Sequence, residues 1–122
     1  MEVLLYPIAG AWERVSDTDQ GILVLTETHF SMVVMPKNRQ RSERSEPTPE
    51  EAMPAYRDLY AMAGTYTVSG SRATFKRVAN LKANLIGLDQ EAEFNVEGDR
   101  MTIRQISGGS RTGAEIVWRK VG

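Results

Sequence analysis

The sequence predicts an all-β domain with one helix, arranged as an eight-stranded antiparallel up-and-down β-barrel with the helix between the third and fourth strands. The first observation behind this prediction is a series of short segments in which apolar and polar residues alternate, which is typical of strands with one buried face. The second is that glycine-containing turns join several of these segments directly, as in antiparallel hairpins. Because a sheet of hairpins has exposed edges unless it closes on itself, a barrel is the favoured arrangement.

The clearest hairpin spans residues 89–107, DQEAEFNVEGDRMTIRQIS. Apolar Ala92, Phe94 and Val96 alternate with polar residues before a Gly98-Asp99 turn, and the alternation resumes after the turn. Four facing pairs are predicted: Val96 with Met101, Phe94 with Ile103, Asn95 with Thr102, and the opposite charges Glu93 with Arg104. The register is well specified, since a slip of one residue would move every apolar side chain to the other face.

Length and composition describe one globular domain, residues 1–122, with room for a single core. Apolar residues make up 41% of the chain, and the net charge of -1 provides no basic surface for nucleic acid. The absence of cysteine excludes disulfides and thiolate chemistry. The first ten residues lack a basic start and a long enough apolar run for a signal peptide, and no run reaches the roughly 18 residues of a membrane span. We therefore expect a cytoplasmic protein that binds neither membrane nor nucleic acid.

The first strand, Gly10–Val15, carries Trp12, and a second hairpin joins Ile22–Thr26 to Phe30–Met35 with a turn near Glu27-Thr28. Both faces of this hairpin are apolar, so it requires cover outside the sheet as well as inside. One face carries Leu23, Leu25, Phe30, Met32 and Val34, and the other carries Ile22, Val24 and Val33. The outer cover is either the helix or a second subunit, and we favour a homodimer.

The next segment, Pro36–Pro47, is polar and carries charges of both signs. This pattern predicts a solvated loop. Binding of phosphate or nucleic acid is the alternative, which the two glutamates of the segment weaken.

A helix start follows the loop. Thr48 is a capping residue, Pro49 suits the first helical position, and Glu51 completes a capping box. The helix is predicted to end at Ala63-Gly64, and Pro54 is predicted to kink or split it. Its apolar stripe consists of Met53, Tyr56, Tyr60 and Ala63.

The remaining strands follow the helix. Thr65–Val68 and Ala73–Val78 form a predicted hairpin with a turn at 69–71. Its facing pairs are Tyr66 with Phe75 and Val68 with Ala73. Asn80–Leu88 is irregular and is interpreted as a connection. After the 89–107 hairpin, Gly108-Gly109-Ser110 turns the chain into a last strand, Glu115–Lys120, with Ile116 and Trp118 on one face.

Several short motifs occur along the chain in a fixed order. They are Gly10-x-Trp12, the strand Phe30–Met35 with its polar loop and the Pro49-Glu50-Glu51 helix start, Gly64–Val68, Gly98–Ile103, and Val117-Trp118. In this order they resemble the lipocalin-like domain family of small bacterial and fungal proteins. The resemblance implies an up-and-down β-barrel with a central pocket.

The resemblance also has consequences for single residues. It implies that Trp12 plugs the closed end of the barrel and that Arg119 of the final strand covers this tryptophan, with Arg14 as the other arginine able to stack on it. Family members often carry a histidine in the strand that matches Thr74–Val78, where this chain has Phe75-Lys76-Arg77. Chemistry that depends on that histidine is therefore not expected here.

The side chains predicted to line a ligand pocket come from the helix and from the strands. They are Tyr56, Tyr60, Tyr66, Phe75, Phe94, Met101 and Ile103. These residues either fill the core or form a mostly apolar pocket in which Tyr60 and Tyr66 hydroxyls donate to a ligand carbonyl. Arg14 and Arg77 either reach inward to neutralise a carboxylate or lie at the surface.

The sequence contains no metal or cofactor motif. His29 is the only histidine and lies in a predicted hairpin turn, so carboxylates would have to complete any metal site, and no clustered spacing is present. The glycines of Gly108-Gly109-Ser110 precede a strand, whereas phosphate cradles use a helix N-terminus. We therefore expect neither a metal nor a cofactor.

Three functions fit these features. The first is binding of a small, mostly hydrophobic molecule in the barrel pocket, with the helix or the Pro36–Pro47 loop as a lid. The alternative is a cofactor-free isomerase, cyclase or lyase that acts on a small secondary metabolite in the same pocket. The third is a structural or interaction protein, which predicts a filled barrel and a large apolar dimer face.

Overall fold

The computed structural model describes residues 8–41, 45–107 and 110–122, with the backbone alone at 110–112. Eight antiparallel strands form a closed barrel in which each strand pairs with the next and the last pairs with the first. The elements are β1 Gly10–Val15, β2 Asp19–Leu25, β3 His29–Pro36, α1 Pro49–Arg57, β4 Tyr60–Ser69, β5 Arg72–Asn80, β6 Asp89–Glu97, β7 Arg100–Ser107 and β8 Ser110–Lys120. The predicted all-β barrel, with its helix between the third and fourth strands, is confirmed.

Three sequence predictions lie wholly or partly outside the described residues. The first is the signal-peptide prediction, which rests largely on residues 1–7. The second is the turn before β8, which includes Gly108 and Gly109, and the third is the polar loop, which includes residues 42–44. In the described part of the chain, no helix has the length and apolar character that crossing a membrane requires.

The register predicted for the 89–107 hairpin is confirmed throughout. Val96 pairs with Met101, Phe94 with Ile103, Asn95 with Thr102 and Glu93 with Arg104, around a turn at Gly98-Asp99. The guanidinium of Arg104 forms its ion pair with Glu115 of β8, at 3.3 Å. Arg104 therefore links β7 to β8 in addition to facing Glu93 across the β6–β7 ladder.

The two faces of the β2–β3 hairpin are also as predicted. Leu23, Leu25 and Phe30 are buried inside the barrel. On the outer face, Ile22 and Val33 face each other and are 57% and 47% exposed, and Val24 is exposed beside them. Helix α1 therefore does not cover this face, and the homodimer stays a prediction.

Helix α1 begins as predicted but is much shorter. The Glu51 N–H donates to the Thr48 hydroxyl at 3.3 Å, and the Glu51 carboxylate accepts from the Thr48 N–H at 3.2 Å. The helix continues through Pro54 as one element and ends at Arg57. Since α1 buries none of its side chains, nothing offsets the cost of extending so short a helix.

The prediction that the helix runs to Ala63 and ends at Gly64 is therefore wrong. Residues from Tyr60 onward form β4, which pairs with β3 from Val34–Tyr60 to His29–Thr65. The ladder satisfies the backbone groups of this segment while alternate side chains enter the core. The apparent helical stripe arose because Tyr60 and Ala63 happen to continue the spacing of Met53 and Tyr56.

The predicted β4–β5 pairs, Tyr66 with Phe75 and Val68 with Ala73, are confirmed, although both strands are longer than predicted. The register shifts between Ala63 and Gly64, so that β5 bulges by one residue. A β-carbon built on Gly64 would lie 1.9 Å from the Lys76 carbonyl oxygen and 2.9 Å from the Val78 nitrogen. Glycine is required here because the backbones of β4 and β5 approach so closely.

The last strand is longer than predicted because it contains an irregularity. Ile103 pairs with Ile116, but Gln105 pairs with Thr112, so β8 carries extra residues in a bulge at which Gly113 has φ +68°. A bulge interrupts the period-2 pattern on which a strand prediction depends. The strand therefore begins at Ser110 and not at Glu115.

One end of the barrel is closed by large side chains. Ile8, Trp12, Met101 and Trp118 are almost completely buried, and the Trp12 indole N–H donates to the Ile8 carbonyl at 3.0 Å. Trp12 is therefore the plug that the sequence predicted.

The prediction that Arg119 covers Trp12 is wrong. Arg119 pairs in register with Glu13 and forms an ion pair with it at 3.2 Å, on the outer face of the sheet. Alternation places Lys120, which faces Trp12 in register, on the inner side. The Lys120 ammonium lies 6.0 Å from the centre of the Trp12 ring.

We predict that Gly64→Ala destabilises the fold by more than about 2 kcal/mol, because the new methyl group forces the β4 and β5 backbones apart. Urea unfolding followed by fluorescence of the buried Trp12 and Trp118 measures the change. Gly70→Asn in the turn of the same hairpin is the matched control, since a β-carbon there meets nothing within 4 Å and asparagine tolerates the positive φ of +63°. An unchanged unfolding midpoint for Gly64→Ala would contradict the required close approach.

Candidate functional site

A cavity of about 380 Å³ lies inside the barrel, and all eight strands contribute to its wall. The lining side chains are Arg14 from β1, Asp19 and Leu23 from β2, Phe30, Met32 and Val34 from β3, Tyr60 and Met62 from β4, Phe75 from β5, Gln90 and Ala92 from β6, Ile103 and Gln105 from β7, and Ile116 and Trp118 from β8. Along each strand these residues occupy inward positions of the alternating pattern. The cavity is thus a direct product of closure of the sheet.

Aromatic rings form the floor of the cavity. The rings of Phe30 and Phe75 meet edge to face with their centres 5.0 Å apart, and both line the cavity. On its other side Phe75 stacks on Tyr66, with ring centres 5.8 Å apart. Tyr66 does not line the cavity. This aromatic cluster therefore separates the cavity from the closed end of the barrel.

The opposite end of the barrel holds the mouth. The short hairpin turns at 26–28, 70–71 and 98–99 all lie at the closed end, whereas the longer connections 37–59 and 81–88 lie at the other. Tyr60, the first residue of β4, lines the cavity and is 57% exposed, which places it at the rim. Helix α1 and the connection between β5 and β6 therefore lie at the same end of the barrel as the mouth, although neither lines the cavity.

Helix α1 is fastened at this end of the barrel by two basic side chains. The Lys82 ammonium lies 3.7 Å from the centre of the Tyr56 ring and donates to the Tyr56 carbonyl. Arg39 donates to the Ala55 carbonyl at 3.3 Å. These contacts hold an otherwise exposed helix against the β5–β6 connection and the loop after β3, at the end of the barrel where the cavity opens.

The polar groups of the cavity are few. Arg14 donates through its Nη1 atom to the carbonyl oxygens of Val15 and Val117, the latter at 3.2 Å. Asp19, at the start of β2, supplies a carboxylate, and Gln90 and Gln105 supply amides. With the phenol of Tyr60, the cavity thus combines apolar walls with one cation, one anion and three neutral polar groups.

The structure brings together some of the predicted pocket residues and separates the others. Tyr60, Phe75 and Ile103 line the cavity. Tyr66, Phe94 and Met101 belong to the buried core cluster, and the Tyr66 hydroxyl donates to the Thr26 carbonyl. Tyr56 lies on α1 and is 45% exposed. Arg77 donates from Nε to the Leu88 carbonyl at 3.0 Å and does not line the cavity.

Sequence reasoning missed the polar residues Asp19, Gln90 and Gln105. Gln90 lies two positions before Ala92, and Gln105 lies two positions after Ile103. Extending the period-2 pattern by one step in each strand would have placed both amides on the inner face. A pattern of apolar residues alone does not reveal them.

His29 is the first residue of β3, and its Nδ1 atom shares a hydrogen bond of 2.6 Å with the Thr28 hydroxyl. The ring is exposed, and the predicted turn lies just before it. Among the described residues, no group of three or more histidine, cysteine, aspartate or glutamate side chains is placed to hold a metal ion.

Comparison with curated protein sequences finds no match to this chain. The sequence model of the lipocalin-like domain matches residues 14–121. This range begins at Arg14 in β1 and ends just after β8, so it includes the cavity-lining residues of all eight strands and helix α1. The match and the closed eight-stranded barrel agree, and the chain belongs to the lipocalin-like domain family.

Proposed function

We propose that the barrel binds a small, mostly hydrophobic molecule in its central cavity. The observation that carries the proposal is a cavity of about 380 Å³ whose wall is formed by all eight strands and opens at one end. Small-molecule sites are usually concave, mostly apolar and about 300–1,000 Å³ in volume, with a few polar groups that orient the ligand. The cavity has this size and this composition.

Apolar walls supply the driving force for binding. Phe30, Phe75 and Ile103 present hydrocarbon surface to the cavity, and a ligand that covers them removes this surface from water, at about 25 cal/mol per Å². Rigid strands place these side chains before the ligand arrives, so little conformational entropy is lost on binding. Lipocalin-like membership supports the same function, whereas a purely structural protein would be better served by a filled interior.

The mouth supports a lid role for α1. The helix and the loop before it lie at the open end, and the contacts of Lys82 and Arg39 are the described side-chain bonds that fasten them there. Both bonds lie at exposed positions, where water competes for them. Local opening of α1 then widens the access to the mouth beside Tyr60 and leaves the barrel intact.

The alternative function is a cofactor-free isomerase, cyclase or lyase acting on a small secondary metabolite. The presence of Asp19 and Tyr60 in the same cavity favours it, because a carboxylate and a phenol are groups that move or share a proton. Tyr66, the other tyrosine considered from the sequence, has its hydroxyl bonded to the Thr26 carbonyl. Asp19 and Tyr60 are therefore the groups that would have to act.

We further propose a homodimer through the outer face of β2 and β3, the surface formed by Ile22, Val24 and Val33. All three side chains are exposed in the single chain, and Ala61 of β4 continues the surface beside Val33. A contiguous apolar patch of this kind is typical of an interface.

Absence of cysteine supports a cytoplasmic location, and a net charge of -1 supports partners other than nucleic acid.

We predict that Ala92→Phe weakens binding of the neutral fluorescent probe N-phenyl-1-naphthylamine at least about tenfold, because the added ring occupies the cavity. Fluorescence titration measures the dissociation constant. Glu91→Phe adds the same ring to the outer face of the same strand and should change the constant less than about twofold. Failure of the unmodified protein to bind this probe, or any member of a panel of apolar metabolites in a thermal-shift assay, would contradict the proposed function.

For the enzymatic alternative, we predict that Tyr60→Phe lowers kcat at least about tenfold on any substrate that the protein converts, with KM nearly unchanged, because the hydroxyl acts in the transition state. Tyr66→Phe is the matched control, since its hydroxyl bonds a backbone carbonyl outside the cavity. Full turnover by Tyr60→Phe would remove this residue from the chemistry.

For the homodimer, we predict that Val33→Lys weakens self-association at least about 100-fold, because it places an unpaired charge in an apolar interface. Sedimentation velocity over a concentration series measures the effect. Leu88→Lys replaces an apolar residue that is 51% exposed on the β5–β6 connection and should leave association unchanged. A sedimentation mass of one chain for the unmodified protein at micromolar concentration would rule out the dimer.

A further inference from the structure

We infer that the ligand carries a carboxylate and that Arg14 binds it inside the barrel, an inference that rests on the proposed binding function. The ligand class is therefore a small organic acid with an apolar body. The cavity has a region for each part of such a ligand. Aromatic and aliphatic side chains over most of the wall suit the apolar body, and the guanidinium on one side suits the carboxylate.

The position of Arg14 follows from the alternation of β1. Trp12 points inward as the plug, so Arg14, two residues later, points inward as well. Arg14 faces Trp118 across the β1–β8 ladder, and both residues line the cavity. The guanidinium is thus carried on the wall of the cavity beside an apolar ring, and its side chain is partly buried.

Two backbone carbonyls hold the guanidinium in place. Nη1 donates to the carbonyls of Val15 on its own strand and Val117 on β8. A guanidinium has five N–H donors in a planar fork, and Nη1 accounts for two of them. The Nε and Nη2 atoms carry the other three donors, which is the geometry that a carboxylate recognises with two parallel hydrogen bonds.

Arg14 differs from Arg104 and Arg119 in lacking an acidic partner. Arg104 and Arg119 form ion pairs with Glu115 and Glu13, at 3.3 and 3.2 Å. Within residues 8–41, 45–107 and 110–122, Arg14 forms no ion pair. A cation that is partly removed from water and surrounded by apolar walls is stabilised by an anion. A ligand carboxylate in direct contact with Arg14 would supply the ion pair that is absent from the described residues.

Asp19 also lines the cavity, so its effect on an anion must be considered. It is the first residue of β2 and lies toward the mouth, whereas Leu23 lies deeper on the same strand. Arg14 and Asp19 are both partly buried, and Arg14 carries three further N–H donors for an anion. The paired geometry of these donors favours an anion at Arg14, and Asp19 weakens binding of the acid by repulsion.

The test compares octanoate with 1-octanol, two probes that share an apolar body and differ in the charge of the head. Displacement of N-phenyl-1-naphthylamine at neutral pH and low salt measures both affinities. Arg14→Gln should weaken octanoate binding at least about tenfold and change octanol binding less than about twofold, because a charge-assisted bidentate contact is lost. Arg14→Lys should weaken octanoate binding less than Arg14→Gln does, since lysine retains the positive charge but lacks the planar fork of donors.

Two further variants complete the test. Asp19→Asn should tighten octanoate binding several-fold without changing octanol binding, because it removes the like charge. Arg77→Gln is the control, since this arginine lies at the same end of the barrel but bonds the Leu88 carbonyl outside the cavity. It should alter neither affinity.

The outcomes separate the two proposals. If octanol displaces the probe but Arg14→Gln leaves octanoate affinity unchanged or reduces both affinities equally, the carboxylate inference is wrong and the binding function stands. If neither the dye nor octanol binds, both are wrong. If Arg14→Gln does not fold, Asp19→Asn decides, because an unchanged ratio of octanoate to octanol affinity for that folded variant overturns the inference.

Discussion

The antiparallel pairing of β1 with β8 closes the sheet, and the cavity depends on this closure. Four residue pairs join the two strands, from Trp12–Lys120 to Val15–Val117. They join the two strands that an open meander would expose at its edges. The same ladder brings Arg14 opposite Trp118, so closure also assembles the polar and apolar sides of the candidate site. With eight strands the interior has the width to hold side chains or one small ligand.

The interior is filled unevenly along the barrel axis. Trp12, Met101 and Ile8 are almost completely buried at the closed end, and the Phe30–Phe75–Tyr66 cluster forms the next layer. Beyond this layer the inward side chains include the small Ala92 and several flexible or polar residues, and the cavity begins there. Stability and binding are thus assigned to different layers of one sheet. The tightly packed half at the closed end stabilises the barrel. The half at the open end can therefore contain unfilled space.

The polar side chains of the barrel fall into two groups with different roles. On the outer face, two pairs of opposite charges neutralise each other across the strands, Glu13 with Arg119 and Glu115 with Arg104. Those in the cavity bond the backbone or face the open space, and Arg14 is the clearest example. A charge whose hydrogen bonds hold it in place without neutralising it is preorganised for a partner of opposite charge. An arginine that is paired with a glutamate on the outer face has a structural role, whereas an arginine in the cavity without such a partner can select a ligand.

The sequence alone determined the elements whose signal is local. The 89–107 register, the two faces of β2 and β3 and the capping box at Thr48 could all be predicted, because alternation and capping act between residues near in the chain. Only the tertiary structure decided where α1 ends, since pairing of Tyr60 with Val34 on β3 outweighed the helical spacing. It also decided which inward residues line open space: Phe75 and Ile103 lie in the cavity, whereas Tyr66 and Met101 lie in the closed half. Alternation specifies the face of a strand, but the depth of a residue along the barrel axis depends on the stagger of all eight strands.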